Sequence, residues 1–208
     1  MSSFTELANA RRSAMKFIPE VKIGNEEIED ILHVVKSAPS AFNLQHTRYL
    51  VVREPELIGG IYEAANKQYK VKSASAVVIV LGDMDAYQEI GNINEGLLNL
   101  GVMNKQEYDM TVNSVLSFYE SGGEALRRDE AIRSASLSAM LFMLSAKDKG
   151  WDTCPMIGFD PGMLKKALQI PDRYVPVMMV TIGKEDTSRQ RPRGYRKPLG
   201  EFVSYDRL

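Results

Sequence analysis

The sequence predicts an α+β fold in which helices cover both faces of one central sheet, and three observations lead there. Residues 76–81 form an almost unbroken apolar run, the mark of a strand buried on both faces. Residues 175–182 form a second strong strand. The predicted elements run helices, strand, helix, strand, helices, strand and tail, which departs from the regular alternation of a parallel fold. With 208 residues the chain is expected to be a single domain, 1–208, burying most of the surface that its unfolded form exposes.

A first helix is predicted over 4–16, with Phe4, Leu7 and Ala8 as an apolar stripe that Arg11 continues. A second starts at Asn25 as N-cap, carries Glu26 and Glu27 in its dipole-favoured first turn, buries Ile28, Ile31, Leu32, Val35 and Ala38, and stops at Pro39. A loop over 39–46 leads to a strand over 47–53, and Pro55 opens a short helix reaching Ala65. Residues 91–123 read as an insertion or lid, with helical stretches, scattered aromatics and the pair Gly122-Gly123. A long helix over 124–149 follows, closed by Gly150, and its Ser134, Ala135, Ser136, Ser138 and Ala139 permit close backbone packing. Residues 151–159 are extended or looped; Asp160 and Pro161 are an N-cap and first-turn proline opening a helix to Leu168. Beyond the last strand a C-terminal arm spans 184–208.

Composition narrows the function classes. The chain is 44% hydrophobic and 25% charged with net charge -1, ordinary for a soluble globular protein and unlike a nucleic-acid binder. No apolar run approaches the ~20 residues that cross a bilayer, no signal pattern opens the chain, and the one cysteine, Cys154, excludes an internal disulfide framework. A cytoplasmic location is the expectation. His33 and His46 stand at no metal-ligand spacing with Cys154, so no metal site is expected. A nucleophile elbow, a P-loop and a G-x-G-x-x-G turn are all missing, so catalysis would lean on a cofactor.

Three segments carry chemistry. Arg11, Arg12 and Ser13 offer two planar guanidinium forks and a hydroxyl, a set suited to a phosphate; taken singly, a solvated helix end is the simpler reading. In the loop Pro39, Ser40, Ala41, Phe42, Asn43, Leu44, Gln45, the two amides supply donors and acceptors that match the edge of a planar heterocycle; taken singly, a helix stop with an Asx turn suffices. In the tail, Arg189, Arg191, Arg193, Arg196 and Lys197 fall close together without an intervening acid, a local positive field that a phosphate or plain water could answer.

In this order, and along essentially the whole chain, the segments resemble the FMN-dependent nitroreductase family of NAD(P)H-dependent flavin oxidoreductases. Arg11, Arg12, Ser13 and Phe17 look like its R-R-S-x-x-x-F opening, and residues 39–45 like its P-S-x-x-N-x-Q loop, which approaches the flavin held mainly by the other subunit. Gln68 sits where the family places an amide beside the flavin. Residues 155–160 resemble its P-x-x-G-F-D segment, and Arg196 before Lys197 and Pro198 matches the terminal basic residue that returns to the phosphate. Met15 stands where a basic residue is frequent, His46 and Thr47 replace a frequent Pro-Trp, and Ile157 replaces a glutamate of several members; these departures concern the substrate pocket more than the flavin.

The resemblance implies a three-layer α-β-α sandwich with a mostly antiparallel sheet and a C-terminal extension reaching the partner subunit. It implies a homodimer with FMN at the interface, reduced by NADH or NADPH and reoxidised in ping-pong fashion by a nitroaromatic or quinone-like electrophile. Cofactor contacts are then expected from Arg11, Arg12, Ser13, Pro39, Ser40, Ala41, Asn43, Gln68, Ile157, Gly158, Arg193 and Arg196, with Arg196 preferred over Arg193 at the phosphate. Phe42 and Tyr69 are expected to meet substrate, and no side chain is nominated as a catalytic acid, base or nucleophile. Neither a nucleic acid nor a membrane is an expected partner. The alternatives are another FMN reaction on the same fold, such as reductive dehalogenation, and a flavin-binding regulatory protein without useful turnover.

Overall fold

A computed structural model describes residues 3–190 and 192–207, so Arg191 of the basic tail lies outside the described residues. In chain order the elements are α1 (Phe4–Ala10), α2 (Asn25–Val35), β1 (Thr47–Val52), α3 (Pro55–Ala64), α4 (Tyr69–Ser73), β2 (Ala76–Asp83), α5 (Ile90–Asn99), α6 (Lys105–Asp148), β3 (Asp152–Met156), α7 (Pro161–Leu168) and β4 (Tyr174–Gly183). Among the described residues four strands form one sheet in the order β1-β2-β4-β3, every neighbouring pair antiparallel.

All of β2 is buried, and its alternation builds the layers. Val77, Ile79 and Leu81 face a core shared with Ile61, Val71 and Leu164 of α3, α4 and α7, while Ala76, Val78 and Val80 face Ile31 and Val35 of α2 and Ala135, Ala139 and Phe142 of α6. This is the expected α-β-α sandwich. Buried Ser134, Ala135, Ser138 and Ala139 let α6 lie close on the sheet, and the contact is tight enough that a Cβ on Gly82 would come within 2.8 Å of the Ala131 carbonyl oxygen. No helix among the described residues is long and apolar enough to cross a membrane.

Two expectations need correction. The first helix stops at Ala10 and buries no residue; Phe4 is 73% exposed, and the chain from Arg11 onward is extended because Ser13 bridges Thr153 and Ala14 donates its N–H to the Thr153 carbonyl. Pairing along the sheet edge outweighs continued helix there. Gly24, not Asn25, caps α2, with Glu27 accepting the Gly24 N–H at 2.9 Å. The helix expected over 124–149 forms the second part of α6, and it joins, at a kink at Gly123 (φ 66°, ψ -166°) in a conformation open to glycine alone, a helix that starts at Lys105 under an Asn104–Glu107 capping box. Residues 91–123 are therefore α5 and the first part of α6, gathered on a small core of Leu44, Ala86, Tyr87, Ile90, Val115 and Tyr119.

Candidate active site

The extended 11–17 segment runs along the free edge of β3 and carries Arg11 towards Cys154. Arg11 Nη1 is buried and finds no hydrogen-bond acceptor among the described residues. The arm then adds two more cations at the same place: Arg193 Nη2 donates to the carbonyls of Asn9 and Arg11, and both Arg193 and Arg196 act on Arg11 through space. Burial first, then repulsion from Arg193 and Arg196, pushes the Arg11 pKa below its ordinary value. A buried guanidinium edge without an acceptor, beside two further arginines, is costly unless an anion completes it. Arg193 makes the direct contact with the Arg11 backbone, whereas Arg196 Nη1 donates to the carbonyls of Gly194 and Tyr195, so the arm brings both arginines to the cluster rather than Arg196 alone.

Next along the same surface lies α4. Asn66 and Lys67 both take left-handed backbone (φ 52° and 58°) to close α3, and this turn aims Gln68 so that its Nε2 donates to the Gly158 carbonyl at 3.0 Å. Asn66 Nδ2 reaches the same carbonyl. Lys70, one turn on, places Nζ 3.3 Å from Cys154 Sγ. Ile157, 80% exposed, and Gly158 follow the end of β3, and Tyr69 is exposed beside them in sequence order with Gln68. Arg11, Cys154, Lys70, Gln68 and Gly158 thus form one continuous wall, cationic at the Arg11 end and amide-lined at the Gly158 end.

Lys70 of this wall, and Glu185 against the segment that bears Arg11, escaped the sequence reading. Lysines 67, 70 and 72 look alike in sequence, and only the short α4 turn selects Lys70 to face Cys154. Glu185 is almost fully buried; its Oε1 accepts the Met15 N–H at 3.2 Å and its Oε2 accepts from Gln190 Nε2 at 2.8 Å. It therefore fastens the arm to the segment that bears Arg11, a long-range contact without local signature.

The 39–45 loop is built but lies elsewhere. Phe42, Asn43 and Gln45 all have positive φ (51°, 57° and 50°), strain of roughly 1–3 kcal/mol each that the surroundings must hold. Ser40 holds it, its Oγ accepting the Gln45 N–H and its carbonyl accepting the Asn43 N–H, while Leu44 is buried and the half-exposed Phe42 ring packs edge-on to Phe118 at 5.9 Å. Pro39 and Asn43 are exposed, Ala41 is half-buried, and Gln45 Nε2 folds back onto the Asn43 carbonyl. Cys154 pairs with Thr181, and Thr181 with Val77 at the start of β2; Thr47, beside the loop, pairs with Gly82 at its end. Three strand spacings of about 4.8 Å and five residues of about 3.3 Å separate Cys154 from Thr47 by roughly 20 Å. Within one chain the loop and the Arg11 wall are not brought together.

Behind the loop His46 is buried with both ring nitrogens lacking a partner among the described residues, as does the Tyr119 hydroxyl. Burial pushes the His46 pKa down, with Asp83 acting weakly the other way.

Residues 8–184 match the Nitroreductase family. The chain is 57% identical over 205 residues to MhqN of Bacillus subtilis (strain 168), a proposed NAD(P)H nitroreductase, covering 99% of this chain and 100% of MhqN. The crystal structure of the proposed nitroreductase ydfN of Bacillus subtilis superposes with a TM-score of 0.95 at 56% identity, over 97% of this chain and 98% of that one. A nitroreductase-type structure in complex with FMN, from Exiguobacterium sibiricum 255-15, superposes with a TM-score of 0.89 at 31% identity, over 99% and 98% of the two chains.

Proposed function

Because the chain belongs to the Nitroreductase family, we propose that it is an FMN-dependent oxidoreductase that takes electrons from NADH or NADPH and passes them to small nitroaromatic or quinone-like electrophiles. The observation that carries this reading is the buried, acceptor-less edge of Arg11 with Arg193 and Arg196 beside it, on a chain whose net charge is only -1. Such a cluster fits a phosphate monoester. The amide wall at Gln68 and Gly158 then fits the hydrogen-bonding edge of a flavin ring, and the resemblance of that protein bound to FMN supports the choice of cofactor.

In this reading Arg11, Arg12, Ser13, Arg193 and Arg196 hold the phosphate, and Gln68, Lys70 and the backbone at Ile157 and Gly158 border the ring. When bound, FMN supplies the hydride acceptance and donation, so the protein's share is placement, charge and exclusion of water. Lys70 keeps a positive charge at the ring, which favours the reduced cofactor. The same position over the ring serves the electron donor and then the acceptor, hence ping-pong turnover. The separation of about 20 Å between the two halves of the site within one chain is answered by a homodimer, in which Pro39, Ser40, Ala41 and Asn43 of a second copy complete each flavin site. Phe42, Tyr69 and the α5–α6 region then cover the acceptor as a lid, and the reducing cytoplasm is the compartment this reading calls for.

The test is the visible spectrum of freshly purified protein, followed by anaerobic addition of NADH or NADPH. A yellow protein bleached by either donor, and recoloured by a nitroaromatic or a quinone, is the expected result. Yellow protein that neither donor bleaches would remove the enzymatic reading, and protein unable to take up FMN would remove the whole assignment.

A further inference from the structure

A second charged hollow lies on the far side of α4 from the Lys70 wall. It is a cleft of about 460 Å³ lined by Lys22, Arg53, Pro55, Ile58, Gly59, Val71, Lys72, Ala74 and Ser75. That volume is within the usual range for small-molecule sites, roughly 300–1,000 Å³. Its three charged groups are all cationic, and none of the three forms an ion pair among the described residues. Glu54, the acid next in sequence to Arg53, lines the adjoining hollow with Leu57 and Ala167 instead.

Two features set these cations apart from a solvated charge run. Arg53 and Lys72 are held in place by neutral groups: Arg53 Nη1 donates to Asn25 Oδ1 at 2.5 Å, and Lys72 Nζ stands 3.9 Å from the Tyr62 ring centroid. Their charges are positioned without being neutralised. The second feature is Gly59, inside α3, where glycine costs about 1 kcal/mol relative to alanine. Neighbouring Gly60 has a packing reason, since a Cβ there would come 3.0 Å from Ala167 Cβ, but a Cβ on Gly59 would meet nothing within 4 Å. The space that a side chain would fill at Gly59 is the cleft itself. Pro55 and Ile58 supply apolar lining beside the cations.

We propose that this cleft between α3, α4 and the 22–24 segment is a binding site for a small organic anion, an apolar body bearing a carboxylate or phosphate, separate from the flavin site. The cations meet the anionic group, and the bare face of α3 at Gly59 receives the apolar body. The site does not depend on the reading of the Arg11 wall: excess FMN keeps the probe from the arginine cluster, and the Lys22, Lys72 and Gly59 variants separate binding in the cleft from stacking of an aromatic probe over the bound ring.

The experiment is calorimetric titration of FMN-saturated protein with phenyl phosphate, benzoate and inorganic phosphate, with bound FMN measured by absorbance in every variant. Saturable binding of phenyl phosphate or benzoate, tighter than that of inorganic phosphate, is expected; which of the two binds better distinguishes a phosphate from a carboxylate ligand. Lys22→Glu and Lys72→Glu should each weaken it by about tenfold or more through charge reversal, and Gly59→Leu should abolish it by filling the cleft, all with FMN content unchanged. Should Gly59→Leu fail to fold, Gly59→Ala serves, with weaker binding and equal or higher thermal stability expected. Absence of saturable binding, equal binding of inorganic phosphate, or binding undiminished in the lysine variants would overturn the assignment.

Discussion

Arg193 donates its Nη2 to the main-chain carbonyl of Arg11 at 3.0 Å, so a residue of the C-terminal arm is built into the segment that opens the chain. The contact gathers like charges instead of separating them, and burial first, then repulsion from Arg193 and Arg196, lowers the Arg11 pKa. Folding alone does not favour such a gathering; an anion bound there would.

The first prediction concerns that anion. Arg11→Ala combined with Arg196→Ala removes two charge-assisted partners, each worth about 1.5–3 kcal/mol, so FMN affinity should fall by roughly two orders of magnitude or more. The thermal midpoint of the apoprotein should hold or rise, because repulsion is relieved. Fluorescence titration of FMN and an apoprotein melt check both halves; unchanged affinity would remove the phosphate site.

The second concerns acid. In the folded chain His46 is faced by Asp83 of β2, which Arg173 already engages, and by Tyr119 of α6. Its folded pKa lies below the ordinary 6.5. As pH falls through 6.5 the unfolded chain takes up a proton that the folded chain still refuses, so stability present above that pH is lost below it, by at most about 1.4 kcal/mol per pH unit for one proton. Urea unfolding at pH 8 and pH 5 should show this loss, and His46→Leu should reduce it. Identical pH profiles for the two proteins would exclude His46 as the source.

The third concerns the break in α6. Gly123→Ala forces a side chain into φ 66°, ψ -166° and should destabilise by roughly 1–3 kcal/mol. Gly96→Ala, inside α5 where an added Cβ meets nothing within 4 Å, should stabilise by up to about 1 kcal/mol. Calorimetric melts of the two variants should therefore shift in opposite directions; shifts of the same sign would contradict the special role of Gly123.

Much of the fold was legible because its signals are local. The apolar run around Val78 and Ile79, the Asp160–Pro161 helix start and the Pro55 helix start each declare themselves within a few residues, and all three appear where expected. Helix α1 misled for the opposite reason: its periodicity continues through Arg11, but the Ser13–Thr153 bridge, 140 residues apart in sequence, ends it at Ala10. Propensity is a weak prior against a sheet edge that needs a partner.

The sequence by itself determined the layers, the family resemblance and which residue types could meet a phosphate and a flat ring, since periodicity and motif order are written in neighbouring positions. Only the tertiary structure decided which of those residues meet. It placed Arg11, Arg193 and Arg196 together, selected Lys70 from three similar lysines, buried Glu185 as the fastening between arm and opening segment, and set the 39–45 loop at the opposite sheet edge. The physical reason is that these contacts are closed by strand pairing and core packing between segments far apart in the chain, which no local pattern records.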